Sequence, residues 1–481
     1  MHRFHSVVHW PSAFFTRHQL AIRNVVYVFL FLFVFSINYN WKSRSFRPPT
    51  SPTRRAAIPP NTMAVLFNSQ KSLWPPRPFI CISNNATDVK ASLARIRYAF
   101  EPIFICKWAV YILTCPIVAN PSSFALTDTR FSSATVTIPH RPAVQRQMGV
   151  VACFSPLFYN ERWQLIIPTL EIYRQMGVDL QVACSRRSST FLRVYEKLNI
   201  AKIETWNQLR FDPERAYSLG YDPNAELEWR NQATAHTDCF LRYKQAAEFV
   251  IISDIDDILF PKIGTTYLDE FRRLRYNTEV VASRDSADFS LAASLGSARI
   301  ANEWEDGKYV VKPQHVETVW LHWPGLMQLG YRMYAVDEDV NIMVHLRNWS
   351  IVDFNTGDPP SSQRSFHLFK YQLRDIVRPE VIETIDRNFR RFVRLYARAE
   401  FERLPRDIRY YPLIERCYNR IFYGRAKRPT SCPGPPPLRD PEGARLAVCD
   451  RPSRVGLNGN IKLHFGRAPG EFATNHDGCA M

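Results

Sequence analysis

Between Val150 and Ser253, short apolar runs alternate with stretches of helical periodicity, and few folds accommodate that order. Val150 to Phe154 reads as a buried strand. Glu161 to Met176 places Ile166, Leu170, Tyr173 and Met176 on one helical stripe, with a kink expected at Pro168 and a stop at Gly177. Val178, Leu180, Val182 and Cys184 then alternate as a second strand. Phe191 to Leu198 is helical again, and Ile200 to Trp206 returns as a strand. Strand, helix, strand, helix, strand implies a parallel sheet of the nucleotide-binding kind. A further helix, from about Asn231 to Ala247, buries Ala233, His236, Phe240, Tyr243 and Ala247. Asp238 and Arg242 lie one turn apart on another face, where they can pair with each other or line a ligand pocket.

That helix leads into Phe249-Val-Ile-Ile-Ser-Asp254-Ile-Asp256-Asp257-Ile-Leu-Phe-Pro261, an apolar run ending in three carboxylates. Alternate residues of a strand share a face, so Asp254 and Asp256 are expected to converge on one divalent cation, or on a cation and a sugar hydroxyl. A solvated acidic turn is the plain alternative, since Asp is a common turn residue.

Composition narrows the partners. The net charge of +17 is concentrated at the start: ten Lys and Arg precede Asp88, which is the first acidic residue. The remaining 394 residues carry only +7, so the basicity belongs to a tail and argues against a nucleic-acid partner. After a short basic tail (1–24), residues 25–41 form an apolar stretch closed by Tyr39 and Trp41, which reads as a single-pass transmembrane signal-anchor. Residues 42–147 are Pro-, Ser- and Arg-rich in patches and read as a low-complexity stem. Within them 103–119 is apolar and reads as a second membrane contact or as linker. A catalytic domain is expected over 148–428 and a Pro/Gly-rich disordered tail over 429–481. Ten cysteines without zinc-type spacing, and the sequons Asn85-Ala-Thr87 and Asn348-Trp-Ser350, fit a secretory compartment.

Four blocks carry a family resemblance: Cys153-Phe-Ser-Pro-Leu-Phe-Tyr-Asn-Glu161-Arg-Trp163, Tyr173-Arg-Gln-Met-Gly177-Val, Asp238-Cys-Phe-Leu-Arg242-Tyr and Asp254-Ile-Asp256-Asp257-Ile-Leu-Phe-Pro261. With Lys308-Tyr-Val-Val-Lys-Pro-Gln-His-Val316, His322 and His345-Leu-Arg347 following in order, the chain resembles glycosyltransferase family 92 over roughly residues 148 to 420. The resemblance implies an α/β GT-A fold in a type II Golgi membrane glycoprotein with a lumenal catalytic domain. It also implies transfer of a sugar, galactose in the best-known members, from a UDP-sugar to a glycan or glycoprotein acceptor with Mn²⁺. Many members read Asp-x-Asp-Glu at the acidic motif; Asp257 keeps the charge and shortens its reach by one methylene.

Read for that chemistry, Asp256 is the expected direct metal ligand, Asp254 bridges ribose or metal, and His345 is the second ligand, imidazole suiting Mn²⁺ beside carboxylate oxygen. Donor contacts are expected from Asn160 and Glu161, which could equally cap the next helix, from Asp238, Arg242 and Asp254, from Arg347 unless it is solvated, and from His322, beside Trp320 and Trp323, unless it only packs. Catalytic roles are assigned to Asp257 and to Glu338, with Glu303, Glu305, Asp337 and Asp339 equally eligible as the base. Two rivals remain. Asp254-Ile-Asp256-Asp257-Ile-Leu fits the nucleophile motif of haloacid-dehalogenase-like phosphatases, although Ile258 replaces the expected Thr or Val and about 100 residues of strand and helix precede it. A non-catalytic, glycan-binding family member is the other.

Overall fold

The computed structural model describes residues 61–73, 78–128, 135–157, 162–183, 189–204, 219–260, 266–267, 274–283, 286–301, 307–333, 342–352, 369–406, 432–433, 453–456 and 462–465. The expected signal-anchor at 25–41 lies outside them. Among the described residues no helix is long and apolar enough to cross a membrane.

The region expected to be a stem is built of strands. β1 (Thr62–Gln70), β2 (Phe79–Asn84), β3 (Val89–Leu93), β4 (Arg95–Tyr98), β5 (Trp108–Pro116), β6 (Ser123–Asp128) and β7 (Thr135–Thr137) form two antiparallel sheets, ordered β1-β5-β4 and β3-β2-β6-β7. Phe79, Cys81, Leu113, Cys115, Phe124 and Leu126 close a small core of their own, and Cys81 is bonded to Cys115. Most of the apolar stretch 103–119 is therefore a strand, from Trp108 to Pro116. Its Trp-Ala-Val-Tyr-Ile-Leu run is β-branched and aromatic, suits a strand, and is buried as the centre of the first sheet.

The alternation that follows folds as the periodicity requires. β8 (Met148–Phe154), α1 (Trp163–Gln175), β9 (Asp179–Ala183), α2 (Ser189–Lys197) and β10 (Ala201–Glu204) precede α3 (Gln232–Tyr243) and β11 (Ala247–Ser253). Pro168 is accommodated inside α1, and Ala247, expected on the α3 stripe, instead opens β11. With β15 (Tyr309–Val311) they make a sheet ordered β10-β9-β8-β11-β15, in which only the β11–β15 pair is antiparallel. Cys153 of β8 is bonded to Cys239 of α3. A second sheet is ordered β12-β18-β13-β14-β19, from Asp257–Phe260, Ile342–Val352, Leu274–Ser283, Arg299–Ala301 and Phe369–Gln372. The helix Pro379–Phe392 buries Ile382, Ile385, Phe389 and Phe392, and its aromatic rings join Phe191, Phe289 and Phe401 in edge-on contacts.

The hairpin of β16 (Val316–Val319) and β17 (Pro324–Met327) locks the N-terminal sheets to the rest. Arg97 pairs with the buried Glu317, and the Thr318 hydroxyl donates to the Ala99 carbonyl. Gly325 permits this approach. A Cβ there would stand 2.7 Å from Thr318 Oγ1, 2.9 Å from the Ala99 carbonyl and 3.1 Å from Phe100 Cβ. Gly325→Ala is therefore expected to cost roughly 1–3 kcal/mol, read as a lower urea midpoint, because a backbone carbonyl cannot step aside as a side chain can. An unchanged midpoint would mean the two parts are not pressed together here.

The C-terminal tail, expected to be disordered, contributes an antiparallel pair, Ser453–Gly456 with Lys462–Phe465, and a disulfide from Cys432 to Cys106.

Candidate functional site

β8 and β11 run parallel as neighbours, while β9 and β10 continue on the far side of β8. Strand order thus reverses between β8 and β11, and in such sheets ligands bind beyond the carboxyl ends of the strands at that reversal. Ser155 and Asp254 sit there, with the Ser155 N–H donating to the Ser253 carbonyl at 3.2 Å.

The acidic motif is a turn rather than a continued strand. β11 ends at Ser253, the Asp257 N–H donates back to the Asp254 carbonyl at 3.1 Å, and β12 starts at Asp257. Buried hydroxyls fix this turn. Ser253 and Tyr173 donate to the Asp257 carbonyl at 2.9 and 3.2 Å, and Thr169 donates to the Ile255 carbonyl. The strand rule of alternate faces therefore does not apply past Ser253, and Asp254 and Asp256 take different partners.

Asp256, Asp257 and His345 are the residues brought together, their donor atoms lying within 4.8 Å of one another. Register explains it: Asp257 of β12 stands directly opposite His345 of β18 in an antiparallel pair, and the Leu346 N–H donates to the Asp256 carbonyl at 2.7 Å. His345 Nε2 is 3.2 Å from Asp256 Oδ2 and 4.0 Å from Asp257 Oδ1. Asp257 is fully buried, Asp256 partly open. Two carboxylates and an imidazole fit a divalent cation of the Mn²⁺ type. Asp257, expected to act in catalysis, thus stands among the candidate ligands.

Asp254 has a different set of partners. Lys308 pairs with its Oδ2 at 2.7 Å, Gln232 donates to its Oδ1 at 2.6 Å, and His236 Nε2 stands 3.9 Å away. Burial alone pushes the Asp254 carboxyl up, but the Lys308 ammonium overcomes this and holds it well below the usual carboxylate range. His236 is fully buried, which lowers its pKa to about 4 and keeps the ring neutral. Its Nδ1 lies 3.1 Å from the Cys153 carbonyl, which can only accept, so the proton is on Nδ1. Gln232 and His236 are four apart on α3 and so share the face that looks at Asp254.

Asp238 and Arg242 point elsewhere. Asp238 is two residues on from His236, on the far side of α3, where it pairs with Arg141; Arg242 pairs with Glu204 at the end of β10. They pair with these residues rather than with each other. His322 does lie near the site: its Nδ1 is 3.1 Å from the carbonyl of Gly307, next to Lys308. The backbone of Arg347 is in β18, but its side chain, like Asn160, Glu161, Glu303, Glu305, Asp337, Glu338 and Asp339, lies outside the described residues.

One buried carboxylate adjoins this network. Between Glu228 and Gln232, the residues Trp229, Arg230 and Asn231 all take left-handed backbone angles, with φ of 47°, 53° and 69°. Glu228 accepts from the Trp320 indole N–H and from the Ile103 N–H, and burial raises its pKa to about 7. A raised carboxyl favours the folded state fully below its unfolded value of about 4.5, and that contribution is lost as pH rises through about 7. Glu228→Gln removes the titration. Relative to wild type, its unfolding free energy should gain on the order of 2 kcal/mol between pH 4.5 and pH 8. Parallel pH profiles in urea melts would contradict the assignment.

Comparison with known proteins decides the family. The model for glycosyltransferase family 92 matches residues 148–393, from the first residue of β8 to the residue after the helix Pro379–Phe392. The chain belongs to glycosyltransferase family 92. Its relatives in Caenorhabditis elegans include glycosyltransferase family 92 protein F59C6.8, 31% identical over 462 residues that cover 88% of this chain and 86% of that protein. Protein C33H5.2, from the same organism, is 32% identical over 323 residues, 62% of each chain. Both acidic clusters of this family 92 chain, at Asp254 and at Asp256 to Asp257, fall inside the matched region, as do Lys308 and His345. Sequence reading missed Lys308, Gln232 and His236 as members of the site. The i, i+4 spacing of Gln232 and His236 was a signal available beforehand; Lys308 opens one of the resemblance blocks, but its pairing with the distant Asp254 was not legible.

Proposed function

We propose that this chain is a metal-assisted hexosyltransferase with a GT-A-type arrangement, moving a sugar, galactose in the first instance, from a UDP-sugar to a glycan or glycoprotein acceptor. The observation that carries this is the convergence of Asp256, Asp257 and His345 beyond the strand-order reversal of a parallel sheet. These three residues would hold Mn²⁺, which when bound neutralises charge developing on the departing diphosphate. Asp254 then serves as a fixed anion that accepts from a ribose hydroxyl while Lys308 and Gln232 keep its carboxylate in place. Both of its oxygens are engaged, which suits positioning better than the nucleophilic attack a phosphatase would ask of it. Glu338 remains the proposed base. Disulfides at Cys81–Cys115, Cys106–Cys432 and Cys153–Cys239 support folding in an oxidising lumen, consistent with a Golgi membrane protein anchored through 25–41.

Thermal unfolding tests the reading. UDP and Mn²⁺ together should stabilise the protein more than either alone, since each completes the other's site and both bind the folded state. Trapping by beryllofluoride with turnover of an aryl phosphate, and no joint effect of UDP and Mn²⁺, would favour the phosphatase instead.

A further inference from the structure

The β16–β17 hairpin ends in Trp320-Leu-His-Trp323, a tip held on every side. The Trp320 N–H donates to the Trp323 carbonyl at 2.9 Å, closing the turn. Tyr309 reaches both backbone groups of Trp320, donating its hydroxyl to the carbonyl at 2.6 Å and accepting from the N–H at 3.1 Å. The Trp320 indole N–H donates to Glu228, and Thr237 of α3 bonds both the carbonyl and the N–H of Val319, at 2.7 and 3.2 Å. Trp323 lies on Trp320 with ring centroids 4.4 Å apart and planes inclined by 27°. Leu321 is buried beneath, yet Trp323 is 44% exposed. A large flat ring thus lies at the surface, stacked on a neighbour that a largely buried polar scaffold holds in place.

Position gives the ring its use. His322, within the same turn, is bonded to Gly307, and the next residue, Lys308, pairs with Asp254. The platform therefore adjoins the acidic site through Gly307 and Lys308. An indole already stacked on a held neighbour costs little ordering entropy when a partner stacks on it, and the C–H face of a pyranose is a flat apolar surface that matches it beside polar groups.

We infer that Trp323, backed by Trp320 and flanked by His322, is the stacking platform for the sugar ring of the acceptor. The inference rests on the transferase reading above, and its test separates the two. Saturation-transfer NMR would be recorded on the full chain with methyl glycosides of galactose, glucose and N-acetylglucosamine, in saturating UDP and Mn²⁺ so that the nucleotide site is filled. At least one glycoside should receive saturation through its ring C–H protons. Trp323→Ala should weaken that binding by roughly three- to tenfold, the size of one aromatic contact, and Trp323→Phe should restore part of it. Stabilisation by UDP and Mn²⁺ should be unchanged in both variants, which also shows that they fold.

Equal glycoside binding in wild type and Trp323→Ala would overturn the platform, as would no saturation of any glycoside while the UDP and Mn²⁺ effect persists. Loss of the glycoside signal to UDP-galactose but not to UDP would overturn it in favour of a donor-sugar seat. Absence of the joint UDP and Mn²⁺ effect would instead count against the transferase reading, leaving glycoside binding at Trp323 to be judged separately.

Discussion

Asp256→Asn should lower sugar transfer by at least about a thousandfold, since a charge-stabilising cation contributes several kcal/mol to the transition state. The substitution keeps the shape and the backbone bond from Leu346 to the Asp256 carbonyl, so the fold should persist. The side chain is partly open and lies 3.2 Å from His345, which places it at the mouth of the cluster, where a bound cation would meet a diphosphate. The joint stabilisation by UDP and Mn²⁺ should disappear in the same variant. Wild-type turnover in Mn²⁺ would show that Asp256 does not hold the metal.

Lys308→Met should produce the largest loss of stability, about 2–4 kcal/mol at pH 7. The Lys308 ammonium is 2% exposed and the Asp254 carboxylate only 26%, so removing the cation strands a largely desolvated anion. Without the ammonium, burial pushes the Asp254 carboxyl up, so in the variant the stranded anion takes a proton as pH falls from 7 toward 4 while the wild-type pair stays charged. The deficit of Lys308→Met should therefore shrink in acid. Asp254→Asn combined with Lys308→Met should recover most of the loss at pH 7, because the charge and its partner then leave together. Urea denaturation at pH 7 and pH 4 measures all three; a deficit that neither acid nor the second substitution repairs would mean Lys308 acts through packing.

Much of the fold was legible because local patterns and tertiary structure agree. Ile166, Leu170 and Tyr173 are buried on α1 as their spacing requires, and Val150 to Phe154 is a strand at the centre of the parallel sheet. The pattern failed where pairing is long-range. β1 pairs with β5 and β2 with β6 across intervening strands, and Pro-rich connections between them resemble a linker when read alone. At the acidic motif a strand rule was extended across a turn that Ser253, Tyr173 and Thr169 enforce from elsewhere. His345 was recoverable by type, and its register opposite Asp257 makes it a neighbour. The partners of Asp238 and Arg242 were not legible because sequence shows which residues share a helix face, not what that face meets: Arg141 and Glu204.

The most direct measurement is release of UDP from a panel of UDP-sugars by the purified protein, with and without Mn²⁺, alongside Asp256→Asn. The account predicts release from at least one UDP-hexose that requires Mn²⁺, is abolished by chelation and is absent in the variant. Release from no donor under any condition, or release indifferent to both chelation and Asp256→Asn, would contradict it.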